Sequence, residues 1–256
     1  MSELITAAPK LALFVTDLDN TLVGDAAALK ILNDWLDQSR QEHGTKIVYA
    51  TGRSLNSYRM LAANAQLLTP DALVSAVGTE IYLDCENIWP AWQQQISPGW
   101  QRSKILEVAG HFADLKPQPI SDQGDFKASY YLSEAAAIEI IPRLRQELKQ
   151  NNILAEIVYS GQKDLDIIPK NSNKGAAVQF LRDYWLIDAP ATVVCGDSGN
   201  DISLFSYDLE YGILVGNAHQ ELKLWYEMNA TERHYLASAN CSGGIIEGLR
   251  YFGFTD

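Results

Sequence analysis

The chain has 256 residues, of which 47% are hydrophobic and 20% are charged, a composition typical of a folded globular protein. Its 20 Lys and Arg residues against 32 Asp and Glu residues give a formal net charge of −12. That charge argues against nucleic acid or an anionic membrane surface as a partner, because phosphate groups are held mainly by clustered Lys and Arg. An anionic small molecule would need a metal ion, a placed cation or a helix N-terminus to overcome the repulsion.

The first third of the chain alternates apolar strands with amphipathic helices. Strands are predicted at 10–16, 46–51 and 72–77, because each is a short apolar run with β-branched residues. Helices are predicted at 26–40 and 54–67, where apolar residues recur three and four positions apart. This β-α-β-α-β order implies a parallel sheet with crossover helices.

The middle of the chain has a different pattern. Its predicted strands, 127–132, 155–160 and 165–169, alternate polar and apolar residues, which is typical of a sheet with one exposed face. Two longer helical patterns lie at 100–112 and 134–151. We therefore predict an α+β domain in this part of the chain.

The last third returns to the first pattern. The predicted elements are helices at 174–184, 202–205, 219–228 and 243–252 and strands at 191–196 and 211–215. The sequence thus predicts an α/β core, residues 1–88 and 170–256, interrupted by an inserted domain, residues 89–169.

The N-terminus and the cysteines predict a cytoplasmic protein. Residues 1–10 lack the basic and apolar stretches of a secretory signal, and no apolar run is long enough to span a bilayer. The three cysteines, Cys85, Cys195 and Cys241, form no CxxC pair, and scattered thiols in odd number are typical of a reducing compartment.

Polar residues follow the predicted strands of the core at one edge of the sheet. Ligands bind beyond the carboxyl ends of parallel strands, so these loops are the candidate site. Four separate segments supply carboxylates, a hydroxyl and an ammonium there, namely Asp17, Asp19, Thr51, Gly52, Arg53, Lys174, Asp197, Ser198, Asn200 and Asp201.

Converging carboxylates repel one another and persist when a cation neutralises them. Hard oxygen ligands favour Mg²⁺, and no His or Cys pair has the spacing of a zinc site. A metal ion, the ammonium of Lys174 and the backbone amides at 51–53 could together bind a dianionic phosphate in this acidic protein. Asp17 could then take the phosphoryl group as a nucleophile, and Asp19, two positions on, could serve as general acid and base.

The motifs resemble, in chain order, the four signatures of the haloacid-dehalogenase-like phosphohydrolases: DLDNT at 17–21, TGRS at 51–54, NKG at 173–175 and GDSGND at 196–201. The resemblance covers the whole chain and implies a Rossmann-like parallel-sheet core with an inserted α+β cap of the C2 type. Longer segments are similar to the sucrose-phosphate phosphatases, in particular their short cyanobacterial form: DLDNTLVGD, YATGRS, AVGTEIY, SGQKDLDIIP, SNKG and CGDSGNDISLF.

The resemblance also implies roles for the motif residues. Thr51 and Lys174 would bind phosphate. Asp197 would ligate Mg²⁺ together with Asp17 and the backbone carbonyl of Asp19, and Asp201 would hold a metal-bound water or Lys174. The implied activity is hydrolysis of sucrose 6F-phosphate to sucrose and phosphate, the last step of sucrose synthesis.

Recognition of the sugar is predicted to involve the cap and the loop that faces it. The candidate substrate-binding residues are Thr51, Gly52, Arg53, Glu80, Lys127, Lys163, Asp164 and Asn200. For Arg53, pairing with a neighbouring carboxylate is an equal alternative to contact with the substrate. The four histidines share no motif, and we assign them no catalytic role.

Two alternative functions stay open. One is hydrolysis of another sugar phosphate, such as a trehalose, mannosylglycerate or glucosylglycerol phosphate. The other is a non-catalytic sugar-phosphate-binding subunit that regulates a partner, for example the sucrose-phosphate synthase. Asp19 weighs against the second, because a binding module needs no proton shuttle. Association of an active enzyme with the synthase is also left open.

Overall fold

A computed structural model describes residues 10–206 and 209–255 of the chain. The prediction that no signal segment begins the chain falls on residues 1–9 and so lies outside the described residues. The first third forms β1 (Leu13–Thr16), α1 (Ala26–His43), β2 (Lys46–Ala50), α2 (Leu55–Asn64), β3 (Ala72–Ser75), β4 (Glu80–Tyr82) and α3 (Pro90–Ile96).

The remaining elements follow in two groups. The middle of the chain forms α4 (Arg102–Ala109), β5 (Lys116–Pro117), β6 (Ala128–Tyr131), α5 (Glu134–Gln150), β7 (Ala155–Ser160) and β8 (Asp164–Pro169). The last third forms α6 (Lys174–Trp185), β9 (Thr192–Gly196), a 3-10 helix (Gly199–Phe205), β10 (Tyr211–Leu214), α7 (Gln220–Asn229), β11 (His234–Leu236) and α8 (Cys241–Tyr251).

The described strands form two sheets. The larger has the order β11-β10-β9-β1-β2-β3-β4 and is parallel except for β4, which pairs antiparallel with β3. Strand β1 lies between β2 and β9, with Thr16 opposite Tyr49 and Cys195. Because these three positions are in register, the loops that follow them begin side by side. The predicted α/β fold with a parallel sheet is confirmed.

The larger sheet is buried on both faces, as its apolar strands predict. Phe14 packs with Leu73 into one apolar cluster, whereas its neighbour Val15 packs with Leu181 into the other. Successive side chains of a strand point to opposite faces, so the continuous apolar run in β1 supplies both clusters.

The smaller sheet has the order β5-β6-β8-β7 with antiparallel pairing. Its apolar face packs against α5 through residues such as Leu144, Leu165 and Ile167. Helix α3 packs Trp92 into the apolar cluster of the larger sheet. The domain division at residues 89–169 stays a prediction.

Several elements differ from those that the sequence analysis predicts. The third strand ends at Ser75 and not at residue 77, because Ala76 and Val77 have φ of 50° and 63°, which turns the chain. Strands β4, β5 and β11 and helix α3 are also present, although the sequence analysis predicts no element at these positions. A strand of only two or three residues is too short to show a periodicity in the sequence. Among the described helices, none combines the length and the apolar character that a bilayer crossing requires.

Candidate active site

A buried charge network lies at the carboxyl edge of the larger sheet. Asp17 directly follows β1, and Lys174 is the first residue of α6. The Lys174 ammonium donates to Asp17 Oδ1 at 2.6 Å and to Asp201 Oδ1 at 2.7 Å, and the Lys174 side chain is fully buried. An ammonium that is removed from water needs such partners, and two carboxylates supply them. Three residues predicted to be catalytic are therefore in direct contact.

The turn before α6 fixes the start of this helix and so the position of Lys174. Asn173 is the N-cap of this helix, and its Oδ1 accepts a hydrogen bond from the Ala176 amide at 3.0 Å. This contact satisfies one of the amides that a helix N-terminus leaves without a partner. The cation at this positive helix end is offset by the adjacent carboxylates.

Asp201 organises the loop that carries Asp197. Its Oδ2 accepts from the backbone amides of Asp197 and Ser198, at 3.0 Å each, while its Oδ1 accepts from Lys174. Thr21 donates to Asp197 Oδ1 at 3.0 Å. Oδ2 of Asp17 and Oδ2 of Asp197 accept no hydrogen bond from the part of the chain that the structure describes, and they are the oxygens open to a further partner.

The electrostatics of this group fit a divalent cation. Carboxylate oxygens of Asp17, Asp197 and Asp201 lie within 4.8 Å of one another. Burial raises the pKa of Asp17 well above its usual value, and Asp201 and Asp197 raise it further, against the lowering effect of Lys174. Burial also raises the pKa of Asp197 to about 7, and Asp201 adds to this rise. A hard divalent ion would relieve this repulsion, and oxygen donors are the ligands it prefers.

Lys174 keeps its proton despite burial. Burial alone would lower its pKa, but the charges of Asp17 and Asp201 outweigh that effect and raise it. The ammonium is thus a permanent positive charge at the base of the site. It supplies a local positive charge, which an anionic ligand needs in order to bind to a chain of net charge −12.

Asp19 and Arg53 form an ion pair at the edge of this network. The Arg53 guanidinium donates to both oxygens of Asp19 at 2.7 Å and also to Ser57 Oγ at 2.7 Å. The Asp19 hydrogen bonds raise the pKa of Arg53. The structure thus places Arg53 against a carboxylate, one of the two alternatives left open by the sequence.

Thr51, Gly52 and Asn200 belong to the second and fourth motifs, which lie side by side at this edge of the sheet. Thr51 is buried, and its Oγ1 accepts from the Arg53 amide at 3.1 Å. A Cβ on Gly52 would lie 3.6 Å from Asn200 Nδ2, so these two residues face each other. The second and fourth motifs therefore meet, as predicted from the sheet edge.

A cleft of about 760 Å³ lies between the larger sheet and the smaller one. Its lining includes predicted residues from both sides: Asp17, Asp19, Gly52, Arg53, Lys127, Lys163, Asp164, Asp197 and Asn200. Glu80 is not in this lining. Its Oε2 instead accepts from Ser75 Oγ at 2.9 Å and Tyr82 OH at 2.8 Å, which ties it to the core.

The cap wall of the cleft is polar and already hydrogen-bonded. Lys127 Nζ lies 3.5 Å from Asp166 Oδ1, and Ser129 donates to the same oxygen at 2.5 Å. Gln118 donates to Asp164 Oδ1 at 2.9 Å. Such a wall offers paired donors and acceptors to a polyhydroxylated ligand.

Sequence reasoning missed several residues of the cleft. Ser57, Gln118 and Asp122 also line it, at sequence positions that carry no motif, and so does Asp166, which lies inside the SGQKDLDIIP segment. His219 also lines it, with its Nε2 3.9 Å from Asp197 Oδ2. His219 follows strand β10 at the same sheet edge as the motif loops, so the rule that found Asp17 could have found it.

Comparison with known proteins agrees with this geometry. The family model described as sucrose-6F-phosphate phosphohydrolase matches residues 10–253. A probable sucrose-phosphatase 3a from Arabidopsis thaliana is 35% identical over 255 residues, which are 95% of this chain and 60% of that protein. A mannosylfructose-phosphate phosphatase from Agrobacterium fabrum is 33% identical over 245 residues, which are 95% of this chain and 97% of that protein.

A solved structure is also similar over nearly its whole length. The sucrose-phosphatase of Synechocystis sp. PCC6803, in complex with sucrose and phosphate, is 40% identical with a TM-score of 0.89. The match covers 95% of this chain and 98% of that one. The present chain spans only about 60% of the length of the plant relatives that it matches. Because the family model matches nearly all of the described residues, the chain belongs to the sucrose-6F-phosphate phosphohydrolase family, within the haloacid-dehalogenase-like hydrolases.

Proposed function

We propose that the protein is a Mg²⁺-dependent phosphatase that hydrolyses sucrose 6F-phosphate to sucrose and phosphate. The observation that carries the proposal is the contact of the Lys174 ammonium with Asp17 and Asp201 beneath the cleft. A carboxylate held by a permanent cation beside an open cleft is suited to receive a phosphoryl group.

The roles of the core residues follow from this arrangement. Asp17 attacks the phosphorus atom, and the bond between phosphorus and the sugar oxygen breaks, which gives an aspartyl-phosphate. Asp19 donates a proton to the leaving oxygen and then accepts a proton from the water that hydrolyses the intermediate. Lys174 offsets the charge of Asp17 and of the phosphate oxygens, and Thr51 and Asn200 are proposed phosphate or sugar contacts.

Arg53 is proposed to orient Asp19. The two hydrogen bonds to Asp19 and the third to Ser57 attach the proton shuttle to the start of α2. A proton transfer requires the shuttle to lie within hydrogen-bond reach of the reacting oxygen, so its orientation affects the rate.

Mg²⁺ is the proposed metal, held by Asp17 and Asp197 with the backbone carbonyl of Asp19. The donor set fits, because the two open carboxylate oxygens are hard ligands in a buried acidic group. A bound ion would supply positive charge against the phosphate and against Asp17. Asp201, whose oxygens already accept from Lys174 and two amides, is proposed to position these residues and not to bind the ion.

The substrate assignment is supported by relatives. The Synechocystis structure contains sucrose and phosphate, and the cap wall here carries polar residues, proposed as sugar contacts, at Lys127, Lys163 and Asp164. Glu80 stays a proposed contact that would need to exchange a partner on the core. The polar wall favours a polyhydroxylated leaving group. Asp19 favours an enzyme over a regulatory subunit, because its proposed role as proton shuttle is needed only in turnover.

A second candidate substrate is a mannosylfructose phosphate. The Agrobacterium relative named for it is matched over 97% of its length. Both sugars are neutral disaccharides, so the core chemistry would be the same and the cap would decide between them.

The test is phosphate release with Mg²⁺ from sucrose 6F-phosphate, mannosylfructose phosphate, fructose 6-phosphate and glucose 6-phosphate. We expect the highest kcat/KM for sucrose 6F-phosphate. A higher value for mannosylfructose phosphate would transfer the assignment to the second candidate. Equal kcat/KM values for all four substrates would mean that the cap does not discriminate between the sugars. Chelation by EDTA is expected to abolish release and added Mg²⁺ to restore it.

Three further expectations remain proposals. They are a cytoplasmic location, association with the sucrose-phosphate synthase, and a division into a core, 1–88 and 170–256, and a cap, 89–169. The free thiols of Cys85, Cys195 and Cys241 support the first. Limited proteolysis tests the third, since cleavage near 89 and 169 would release the cap as one fragment.

A further inference from the structure

A contact between the cap sheet and the turn before α6 is not used by the proposed chemistry. We propose that Glu156, on strand β7, is a positioning residue that acts through Asn173 to fix the ammonium of Lys174. The inference rests on the proposed function for the importance of Lys174, but its geometry is independent of the substrate.

Asn173 uses both ends of its amide. Its Oδ1 accepts from the Ala176 amide at 3.0 Å, and its Nδ2 donates to Glu156 at 2.9 Å for Oε1 and 3.0 Å for Oε2. The first bond satisfies an amide at the N-terminus of α6, and the second attaches Asn173, the N-cap residue of that helix, to strand β7. A hydrogen bond with a charged acceptor is stronger than one between neutral groups.

Gly78 approaches the backbone of the same turn so closely that no side chain would fit between them. A Cβ on Gly78 would lie 2.3 Å from the carbonyl carbon of Asn173 and 2.5 Å from the amide nitrogen of Lys174. Gly78 is itself held, because Trp92 Nε1 donates to its carbonyl at 2.9 Å. The backbone at 173 and 174 therefore lies close against the Gly78 turn, while the Asn173 side chain is held by the Glu156 carboxylate.

This arrangement matters because Lys174 has little tolerance for movement. Its ammonium makes a 2.6 Å contact with Asp17 and a 2.7 Å contact with Asp201, and the side chain is fully buried. A shift of the α6 start would lengthen both contacts. The proposed nucleophile is thus connected to the cap through Lys174, Asn173 and Glu156.

The test compares variants that break this bond with one that rebuilds it. Glu156→Ala removes the acceptor. Asn173→Asp keeps an oxygen for the helix cap but loses the donor and faces Glu156 with a like charge. Glu156→Gln combined with Asn173→Asp exchanges donor and acceptor and restores a bond between the two positions. Glu139→Ala is the matched control, because Glu139 is an exposed carboxylate on α5.

We expect Glu156→Ala and Asn173→Asp each to lower kcat about tenfold and to raise KM severalfold, since a displaced Lys174 ammonium would hold both Asp17 and the phosphate less well. The exchanged pair should regain most of the loss, and the control should match the parent protein. Retention of parental kcat by Glu156→Ala, or a folded exchanged pair no better than Asn173→Asp alone, would overturn the proposal. The exchanged pair keeps the test decisive if Glu156→Ala does not fold.

A binding measurement separates this proposal from the proposed function. Calorimetric titration with inorganic phosphate in the presence of Mg²⁺ needs no turnover. We expect the dissociation constant to rise severalfold in Glu156→Ala and Asn173→Asp and to recover in the exchanged pair. If the parent hydrolyses no sugar phosphate but this pattern appears, the substrate assignment fails and the positioning role stands. An unchanged dissociation constant in all variants contradicts the positioning role.

Discussion

The carboxylate of Asp19 meets a guanidinium, whereas that of Asp17 meets an ammonium, and this difference separates their proposed roles. Asp17 is buried against Lys174, where it can receive a phosphoryl group. The side chain of Asp19 is 47% exposed and held by Arg53 at the rim of the cleft, where a leaving group and water can reach it. Only Leu18 separates the two residues in the sequence, but different cations orient their carboxylates.

The Arg53 pair gives a prediction at this scale. Arg53→Lys keeps the charge but loses the planar fork that contacts both Asp19 oxygens and Ser57. We expect kcat to fall about tenfold while Tm changes little, because this half-exposed pair contributes little to stability. Steady-state kinetics and thermal unfolding check this. A parental kcat would show that Arg53 does not orient Asp19.

Some residues of the site could be predicted from the sequence, and others could not. Asp17 and Asp197 were identifiable because each directly follows a parallel strand, and Lys174 and Asp201 because each lies in a recognisable motif at the start of a helix. The partner of Arg53 was not identifiable, because the choice between a neighbouring carboxylate and the substrate depends on the orientation of its side chain. Contacts such as that of Glu156 with Asn173 depend on how the cap lies against the core, and local patterns carry no such information.

At the scale of elements, strand β7 touches both segments that carry the charge network. Its Glu156 contacts Asn173, and its Tyr159 carbonyl lies against Gly199, the start of the 3-10 helix that holds Asp201. Close to that point, Glu221 of α7 accepts from the Gly161 amide at 2.9 Å. One strand of the cap thus lies beside the supports of Lys174 and Asp201.

Gly199 tests the importance of that close approach. A Cβ at this position would lie 2.3 Å from the Tyr159 carbonyl oxygen, so Gly199→Ala must separate β7 from the 3-10 helix. We expect a loss of about 1–3 kcal/mol in the free energy of unfolding and a clear fall in kcat. Gly243→Ala is the control, because its Cβ would lie 3.5 Å from Ala239 Cβ, an ordinary contact. Equal Tm and kcat for both variants would contradict the argument.

The elements themselves were largely predictable. Apolar runs with β-branched residues marked β1, β2, β9 and β10, and alternating runs marked β6, β7 and β8 of the smaller sheet but not the two-residue β5. The end of β3 was not predictable, because the positive φ of Val77 is imposed by packing and not by the residue type. Gly78, three positions beyond the end of β3, then contacts the turn that carries Lys174.

At the scale of the whole molecule, metal and protons compete for one acidic site. The folded protein raises the pKa of Asp197 from 3.8 to about 7, so the metal-free protein binds more protons than the unfolded chain between those values. Its free energy of unfolding therefore falls as the pH rises through this window. A divalent ion binds the ionised carboxylates, so its stabilising effect grows in the same direction.

Thermal unfolding with EDTA and with Mg²⁺ at pH 5 and pH 7.5 checks this competition. At about 100 times the dissociation constant, a ligand adds about 2.7 kcal/mol, which corresponds to a rise in Tm of roughly 5–10 °C. We expect that rise at pH 7.5 and a much smaller one at pH 5. Asp197→Asn should lose the effect, and Asp34→Asn, at an exposed position of α1, should keep it. An identical rise at both pH values would argue against metal binding by these carboxylates.

The measurement that tests the central claim most directly is phosphate release from sucrose 6F-phosphate with Mg²⁺ by the parent protein and by Asp17→Asn. We expect steady release by the parent and a loss of roughly 10⁴-fold or more in the variant, because an amide in place of the Asp17 carboxylate cannot form the covalent intermediate. Thermal unfolding should show that the variant is folded. Comparable release by the two proteins would remove Asp17 as the nucleophile, and no release by the parent would contradict the proposed activity itself.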